Sequence, residues 1–153
     1  MTTGEDVTAS TRSELARLMT EFFRAVSFQP GEVPPYQMLH DLFVRGGKLI
    51  RNSGEEPEIT TVEEFIAPRQ QMVDRGELSE FEEAESDEIT EVFGNIAHRF
   101  STYHKRGRSG DAEFAARGVI STQFVRTPGG WKMSSMAWDD ERPGLSIPGP
   151  RPR

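Results

Sequence analysis

The pattern of apolar and polar positions divides the chain into a helical first half and an alternating second half. In the first half, one apolar stripe at three- and four-residue steps consists of Leu15, Leu18, Met19, Phe22 and Val26. This stripe predicts an amphipathic helix from Thr11, which has capping-box spacing with Glu14, to about Phe28. We expect the apolar face of this helix to pack on a sheet.

Two further helices are predicted in the first half of the chain. Pro34-Pro35 favour the first turn of a short helix, because proline presets the backbone and lacks an amide that is not needed there. A capping signal at Thr61 begins a third helix that ends by Gly76, and Pro68 should kink it or break it in two. Between these helices, residues 42–50 indicate a strand interrupted by a glycine pair.

From Leu78 onward, polar and apolar residues alternate with the period of two that is typical of strands. Turn residues divide this half into four predicted strands, at 79–93, 96–105, 112–126 and 131–139. Gly94-Asn95 predicts a tight hairpin with Phe93 opposite Ile96. Gly118 interrupts the third of these strands and predicts a bulge.

Helices followed by an antiparallel meander are typical of the α+β class. We expect one domain over residues 11–140, a flexible N-terminus at 1–10 and an extended C-terminal tail at 141–153, which is rich in proline and glycine. The long strands predict a curved antiparallel sheet wrapped around the N-terminal helices. Such a sheet leaves a cavity where the helices do not cover it.

The composition excludes several classes of function. Lys and Arg total 18 against 25 Asp and Glu, a net charge of −7, which argues against a nucleic-acid-binding surface. The chain has no cysteine, which excludes disulfides and thiolate chemistry. No apolar run approaches the roughly 20 residues of a membrane span, and the first ten residues lack signal-peptide character, so we expect a cytoplasmic protein. The three histidines lack metal-ligand spacing and no dinucleotide fingerprint occurs, so we expect neither a metal nor a cofactor.

A resemblance to a known superfamily rests on three phrases: TVEEFIAPRQ, EVFGNIAHRFSTYHKRG and RGVISTQFVRTPGGWKMSSMAWDDERP. With the first helix they span about residues 11–143, and they resemble the SnoaL-like branch of the nuclear transport factor 2-like superfamily. The resemblance implies a cystatin-like, cone-shaped α+β barrel with a small-molecule pocket on the concave face of its sheet. It also implies a homodimer formed through the outer face. Members include dehydratases, isomerases, cyclases, epoxide hydrolases and non-catalytic modules, so the fold alone selects no function.

The hairpin register pairs Glu91 with His98, and Glu85 with His104. A carboxylate beside an imidazole fixes its tautomer and raises its basicity, as a general base requires, so His98 is a catalytic candidate. The alternative is a cross-strand ion pair that joins two strands or two subunits. A slip of one residue would move these side chains to the other face. A place for His98 inside the cavity therefore favours an enzyme, and a place at the interface favours a binding or assembly module.

Residues near the short second helix are further candidates. In SnoaL-like and related isomerases and dehydratases, Tyr, His and Asp side chains that enter the cavity act as acid, base or oxyanion donor. The resemblance thus implies that Tyr36, Asp41 or Tyr103 polarises a substrate and that His40 contacts it. The alternative is that Asp41 ends the helix and Tyr36 fills the core with its hydroxyl at the rim.

Other residues are candidates for the ligand-binding wall, since such pockets are largely apolar. The candidates are Phe65, Phe100, Phe124 and Trp138. Arg99 could hold an anionic ligand if its strand face points inward. Trp131 and Trp138 are seven residues apart, so a regular strand would place them on opposite faces.

Two hypotheses about function remain open. The first is a small-molecule-binding homodimer that acts as a cofactor-free acid/base lyase or isomerase on a small, largely apolar substrate, with His98 as the base or acid. The second is a non-catalytic ligand-binding or assembly module of the same fold.

Overall fold

The secondary structure follows the predicted order of elements, with one short strand at residues 58–60 that was not predicted. The computed structural model describes residues 4–149. Its elements are α1 (Gly4–Val26), a 3-10 turn (Tyr36–Met38), α2 (Leu39–Leu42), β1 (Phe43–Arg51), β2 (Glu58–Thr60), α3 (Val62–Asp74), β3 (Leu78–Phe93), β4 (Ile96–Ser109), β5 (Ala112–Thr127) and β6 (Gly130–Asp140). Within the described residues, no helix is both long and apolar enough to cross a membrane.

The first helix begins earlier than the sequence predicted. It starts at Gly4, so Thr11 lies inside it, buried, and the predicted capping box with Glu14 is wrong. The Glu14 carboxylate instead accepts a hydrogen bond from the backbone N–H of Trp131 at 2.8 Å, which joins α1 to the start of β6. Residues 7–10 are exposed, so no apolar stripe marks this part of the helix in the sequence. The flexibility expected of residues 1–10 stays a prediction, and residues 1–3 lie outside the described residues.

The third helix has the predicted cap. The Thr61 hydroxyl accepts the N–H of Glu64 at 3.2 Å, and the Glu64 carboxylate accepts the N–H of Thr61 at 2.9 Å, so this capping box is confirmed. Pro68 lies inside one continuous helix that ends at Asp74. The prediction that Pro68 could break the helix in two is therefore wrong, because a proline removes only one backbone donor.

The six strands of the described chain form one curved, unclosed sheet in the order β2-β1-β6-β5-β4-β3. Neighbouring strands are antiparallel except β1 and β6, which pair in parallel. The α+β class and the curved sheet are thus confirmed, although the sheet is mixed rather than wholly antiparallel. The apolar face of α1 packs on the concave face of the sheet and forms the core with Phe124, Met133 and Met136.

The end of α1 also covers the free edge of β3. Phe28 and Phe81 exchange two backbone hydrogen bonds of 2.8 and 3.1 Å. The Ser27 hydroxyl accepts the N–H of Glu83 at 3.1 Å. An uncovered edge strand would present unpaired backbone groups to other chains, and these bonds satisfy several of them.

Two of the bulges in the sheet determine which side chains near the cavity face the concave side. The hairpin register from Phe93–Ile96 to Asp87–Thr102 is as predicted, but the ladder then shifts at Ser86. Glu85 consequently pairs with Tyr103 rather than His104, which corrects the prediction. In an unbroken ladder Glu83 would lie opposite Arg106 on the convex face, whereas the bulge places it opposite Lys105 on the concave face.

The second bulge is at Ser134 in β6, where Gln123 pairs with Ser135 and Phe124 with Met133. Trp131 is part of the core and Trp138 packs against the core, so both side chains lie on the concave face. The predicted placement of the two tryptophans on opposite faces is wrong, because it assumed a regular strand.

Gly118 forms no bulge and pairs regularly with Tyr103. A Cβ atom at Gly118 would overlap the Tyr103 hydroxyl and the Asp139 carbonyl oxygen. The bulge prediction at Gly118 is therefore wrong, and the glycine instead makes room for the Tyr103 side chain.

The C-terminal segment leaves the sheet after β6 and turns back through a backbone pair between Arg142 and Leu145. Residues 145–149 then run beside Phe100 and Val119 and enclose a groove of about 660 Å³ on the convex side. The expected extended tail stays a prediction, and residues 150–153 lie outside the described residues.

Candidate functional site

A cavity of about 130 Å³ lies between α1, α3 and the concave face of the sheet. Its aromatic walls are Phe22, Phe65, Phe81 and Trp138. The Phe65 and Trp138 rings meet edge to face, with centroids 6.0 Å apart. Five polar side chains also line it: Tyr36, Arg51, Arg69, Glu83 and Lys105. An apolar enclosure with a few converging polar groups is the usual form of a small-molecule site.

Glu83 supplies the carboxyl group that lines this cavity. Its side chain makes no hydrogen bond or ion pair of 4 Å or less with any described residue. Burial raises the pKa of Glu83 to about 7, because an ionised carboxylate is poorly solvated there; Lys105 and Arg69 oppose this effect and Asp140 adds to it. The group can therefore hold or release a proton near neutral pH.

Behind Glu83 lies a chain of polar contacts. Lys105 Nζ is 3.1 Å from Asp140 Oδ1, and the Tyr103 hydroxyl donates a hydrogen bond to the same Asp140 carboxylate. Burial and this carboxylate raise the pKa of Tyr103 above its ordinary value, so the hydroxyl stays protonated as a donor. These contacts hold the Lys105 ammonium on β4 next to its cross-strand neighbour Glu83 on β3, on the same face of the sheet.

Tyr36 and Arg69 approach from the helical side. Tyr36 is buried, and burial raises the pKa of its hydroxyl while Arg69 opposes the rise. Arg69 lies one turn after Phe65 on α3, with its guanidinium carbon 3.6 Å from the centroid of the Phe65 ring. A protonated phenol and a guanidinium supply hydrogen-bond donors to whatever occupies the cavity.

Three of the predicted site residues line this cavity: Tyr36, Phe65 and Trp138. Tyr103 faces the same side of the sheet but is fully buried behind Gly118 and Asp140. It is thus placed to orient Asp140 rather than to touch a ligand directly.

His98 and Phe100 lie on the convex face, away from the cavity. His98 Nε2 is 2.7 Å from Glu91 Oε1, and both side chains are more than half exposed. Phe100 is 44% exposed and faces the groove beside the C-terminal segment. Neither side chain can reach a ligand in the cavity, which corrects both expectations, since the sheet separates the two faces.

His40 and Asp41 are exposed at α2 rather than directed into the cavity. His40 Nε2 lies 2.7 Å from Glu63 Oε1, and the Asp41 carbonyl accepts a hydrogen bond from Lys132. Both contacts join α2 to neighbouring elements, because the short helix turns its polar side outward.

Phe124 and Arg99 face inward but do not line the cavity. Phe124 is fully buried in the core. Arg99 already has an anionic partner, since its Nε and Nη2 atoms lie 3.0 and 2.7 Å from the two carboxylate oxygens of Glu85. This bidentate pair occupies the guanidinium that was expected to hold a ligand.

Five polar residues in or behind the cavity were not predicted from the sequence: Arg51, Arg69, Glu83, Lys105 and Asp140. Glu83 and Lys105 meet only because of the bulge at Ser86, which alternation does not predict. One signal was available: Glu82 and Glu83 are adjacent in a strand, so one of them must face the concave side in any register. Among the described residues, no group of three His, Cys, Asp or Glu side chains is placed to bind a metal ion.

Comparisons with known proteins identify the fold. No protein-family model matches the sequence, and no curated protein is significantly similar to it. A nuclear transport factor 2-like superfamily protein from Salmonella enterica matches with a TM-score of 0.71 and 13% identity, over 88% of this chain and 94% of that chain. A candidate scytalone dehydratase from Novosphingobium aromaticivorans matches with a TM-score of 0.73 and 12% identity, over 90% of this chain and 89% of that chain.

A third solved structure is a candidate Ca/calmodulin-dependent kinase II association domain from Exiguobacterium sibiricum. It matches with a TM-score of 0.63 and 12% identity, over 94% of this chain and 98% of that chain. The chain therefore has the nuclear transport factor 2-like fold, as the resemblance implied. At these identities the likeness shows the fold alone.

Proposed function

We propose that the protein binds a small, largely apolar molecule in its concave cavity and performs cofactor-free acid/base chemistry on it, as a lyase or isomerase. Glu83 takes the role that the sequence analysis gave to His98. Its carboxylate accepts a proton from a substrate carbon. The proton then returns at a neighbouring carbon in an isomerisation, or to a departing hydroxyl in a dehydration.

The observation that carries this proposal is the carboxyl group of Glu83, which lies in an aromatic cavity and has no hydrogen-bond or ion-pair partner among residues 4–149. A general base works best when its pKa lies near the working pH, and burial raises the pKa of Glu83 to about 7. A purely structural carboxylate would normally be hydrogen-bonded or paired with a cation. The Tyr36 hydroxyl supplies a donor for the oxygen on which negative charge develops.

The test is deuterium exchange into small ketones that contain one six-membered ring, beginning with acetophenone and cyclohexanone. The protein is incubated with each ketone in heavy water, and loss of the proton beside the carbonyl is followed by NMR. We expect exchange above the buffer rate, and its loss in Glu83→Gln. Glu82→Gln is the matched control, because Glu82 pairs with Arg106 on the convex face. Equal rates for the wild type and Glu83→Gln would remove the catalytic part of the proposal.

The second candidate function is a non-catalytic binding or assembly module, and the position of His98 favours it. The centre of the convex face carries small or apolar side chains, among them Ile89, Phe100, Ser121 and Ala137, with the Glu91–His98 pair at its side. We propose that a second copy of the chain covers this face in a homodimer. Light scattering of the purified protein tests this assembly independently of any chemistry in the cavity.

A further inference from the structure

Arg69 is the cavity cation whose hydrogen-bonding capacity is largely unused. A guanidinium carries five N–H donors. Here Nη1 donates to the Phe65 carbonyl at 2.9 Å, and this is the one hydrogen bond of the side chain with the described residues. The Phe65 ring supports one face of the guanidinium at 3.6 Å. These two contacts fix the plane of the group and leave its other donors available.

The other two cations of the cavity already have carboxylate partners. Arg51 Nη1 is 2.9 Å from Glu58, and Lys105 Nζ is 3.1 Å from Asp140. Among residues 4–149, no carboxylate oxygen lies within 4 Å of the Arg69 guanidinium. Burial lowers the pKa of Arg69, so its positive charge is held where water solvates it poorly. A desolvated charge without a partner favours the binding of an opposite charge.

The walls around Arg69 limit the size of the ligand. The cavity of about 130 Å³ is close to the roughly 150 Å³ that holds one benzene molecule in an apolar protein cavity. Phe22, Phe81 and Trp138 offer ring faces and edges to such a ligand. The enclosed part of the ligand is therefore about one six-membered ring.

We propose that Arg69 is an anion subsite and that the ligand is a single-ring monocarboxylate, whose ring enters the aromatic cavity and whose carboxylate meets the guanidinium. The inference deepens the proposed function and rests on it for the location of the site. The planar fork of an arginine matches the two oxygens of a carboxylate, and a support beneath the fork preorganises that contact. Arg69 is thus the residue that determines specificity for a charged ligand over a neutral one.

The test compares benzoate with benzamide, which has the same ring and a neutral head group of similar shape. Each is titrated into the protein by NMR at about pH 6, where most Glu83 carboxyl groups are protonated and do not repel an anion. We expect benzoate to bind about tenfold more tightly than benzamide, as a charge-assisted hydrogen bond implies. Arg69→Gln should abolish this preference by weakening benzoate binding more than benzamide binding, and Arg69→Lys should retain part of the preference.

Arg106→Gln is the matched control, because Arg106 lies on the convex face in an exposed pair with Glu82. Benzamide binding by each variant reports that the cavity is still folded. Equal affinities for the two probes, or an undiminished benzoate preference in Arg69→Gln, would overturn the anion subsite and leave cavity binding intact. Failure of both probes to bind would overturn the subsite and the proposed function together. A benzoate preference without deuterium exchange would support the subsite and remove only the chemistry.

Discussion

Replacing Glu83 with glutamine is expected to stabilise the protein at alkaline pH while removing its proposed chemistry. The folded-state pKa of Glu83 is raised from its ordinary 4.5 to about 7. Below pH 4.5 the carboxyl group is protonated in both the folded and the unfolded chain, so its full contribution to stability is present. As the pH rises through about 7, the folded protein must hold an ionised, poorly solvated carboxylate, and that contribution is lost.

The size of the effect follows from the two pKa values. The difference between 4.5 and about 7, multiplied by about 1.36 kcal/mol per pH unit, is about 3 kcal/mol. Glutamine has nearly the same shape and cannot ionise. Glu83→Gln should therefore raise the free energy of unfolding by about 3 kcal/mol at about pH 8.5, and by less than about 1 kcal/mol at about pH 5.

The assay is urea unfolding at the two pH values, with the protein concentration held fixed because dimerisation would make stability depend on it. Glu82→Gln serves as the control, since it makes the same substitution at an exposed carboxylate on the convex face. A stabilisation by Glu83→Gln that is the same at both pH values would refute the reasoning. A carbon NMR titration of the Glu83 carboxyl would then give its pKa directly.

Three further variants test other parts of the structure. Phe100→Asp places a charge in the proposed dimer surface and should give a monomer by light scattering. Gly118→Ala forces a methyl group against the Tyr103 hydroxyl and should lower the free energy of unfolding by roughly 1–3 kcal/mol. Arg99→Ala leaves the partly buried Glu85 carboxylate without its bidentate partner, and should lower the free energy of unfolding in urea by roughly 3–5 kcal/mol. Adding Glu85→Ala to the same chain should restore part of this loss.

Each of these variants has a matched control. Ile59→Asp changes an exposed apolar residue on β2, and this variant should have the same molecular mass by light scattering as the wild-type assembly. Gly54→Ala adds a methyl group in open space and should have little effect on stability. Arg106→Ala breaks an exposed ion pair, which typically contributes less than about 1 kcal/mol. A Phe100→Asp dimer, or a variant no less stable than its control, would contradict the corresponding prediction.

The strands and the hairpin register could be predicted because the signals for them are local. Gly94, with φ of 56°, allows the turn that sets Phe93 opposite Ile96. The Thr61 capping box likewise depends on residues three positions apart. The extent of α1 could not be predicted, because residues 7–10 are exposed and carry no apolar stripe.

The chemistry of the cavity was harder to predict than its walls. Phe65, Trp138 and Tyr36 were found by residue type, since large aromatic side chains usually fill or line interiors. Glu83 and Lys105 could not be paired without knowing the bulge, which the alternation of polar and apolar residues in the strand does not indicate.

The bulge at Ser86 also determines where the chain tolerates a change of length. At this point β3 carries one residue more than β4 requires. Removing Ser86 would leave Glu83 opposite Lys105 and Glu85 opposite Tyr103, in a ladder without a break from Glu80 to Phe93. Removing Ala84 would keep Glu83 in place but turn Glu85 outward, and Arg99 would lose its bidentate partner. A single-codon gap between related genes is therefore expected at residue 86, where strand length can vary while the cavity keeps its side chains.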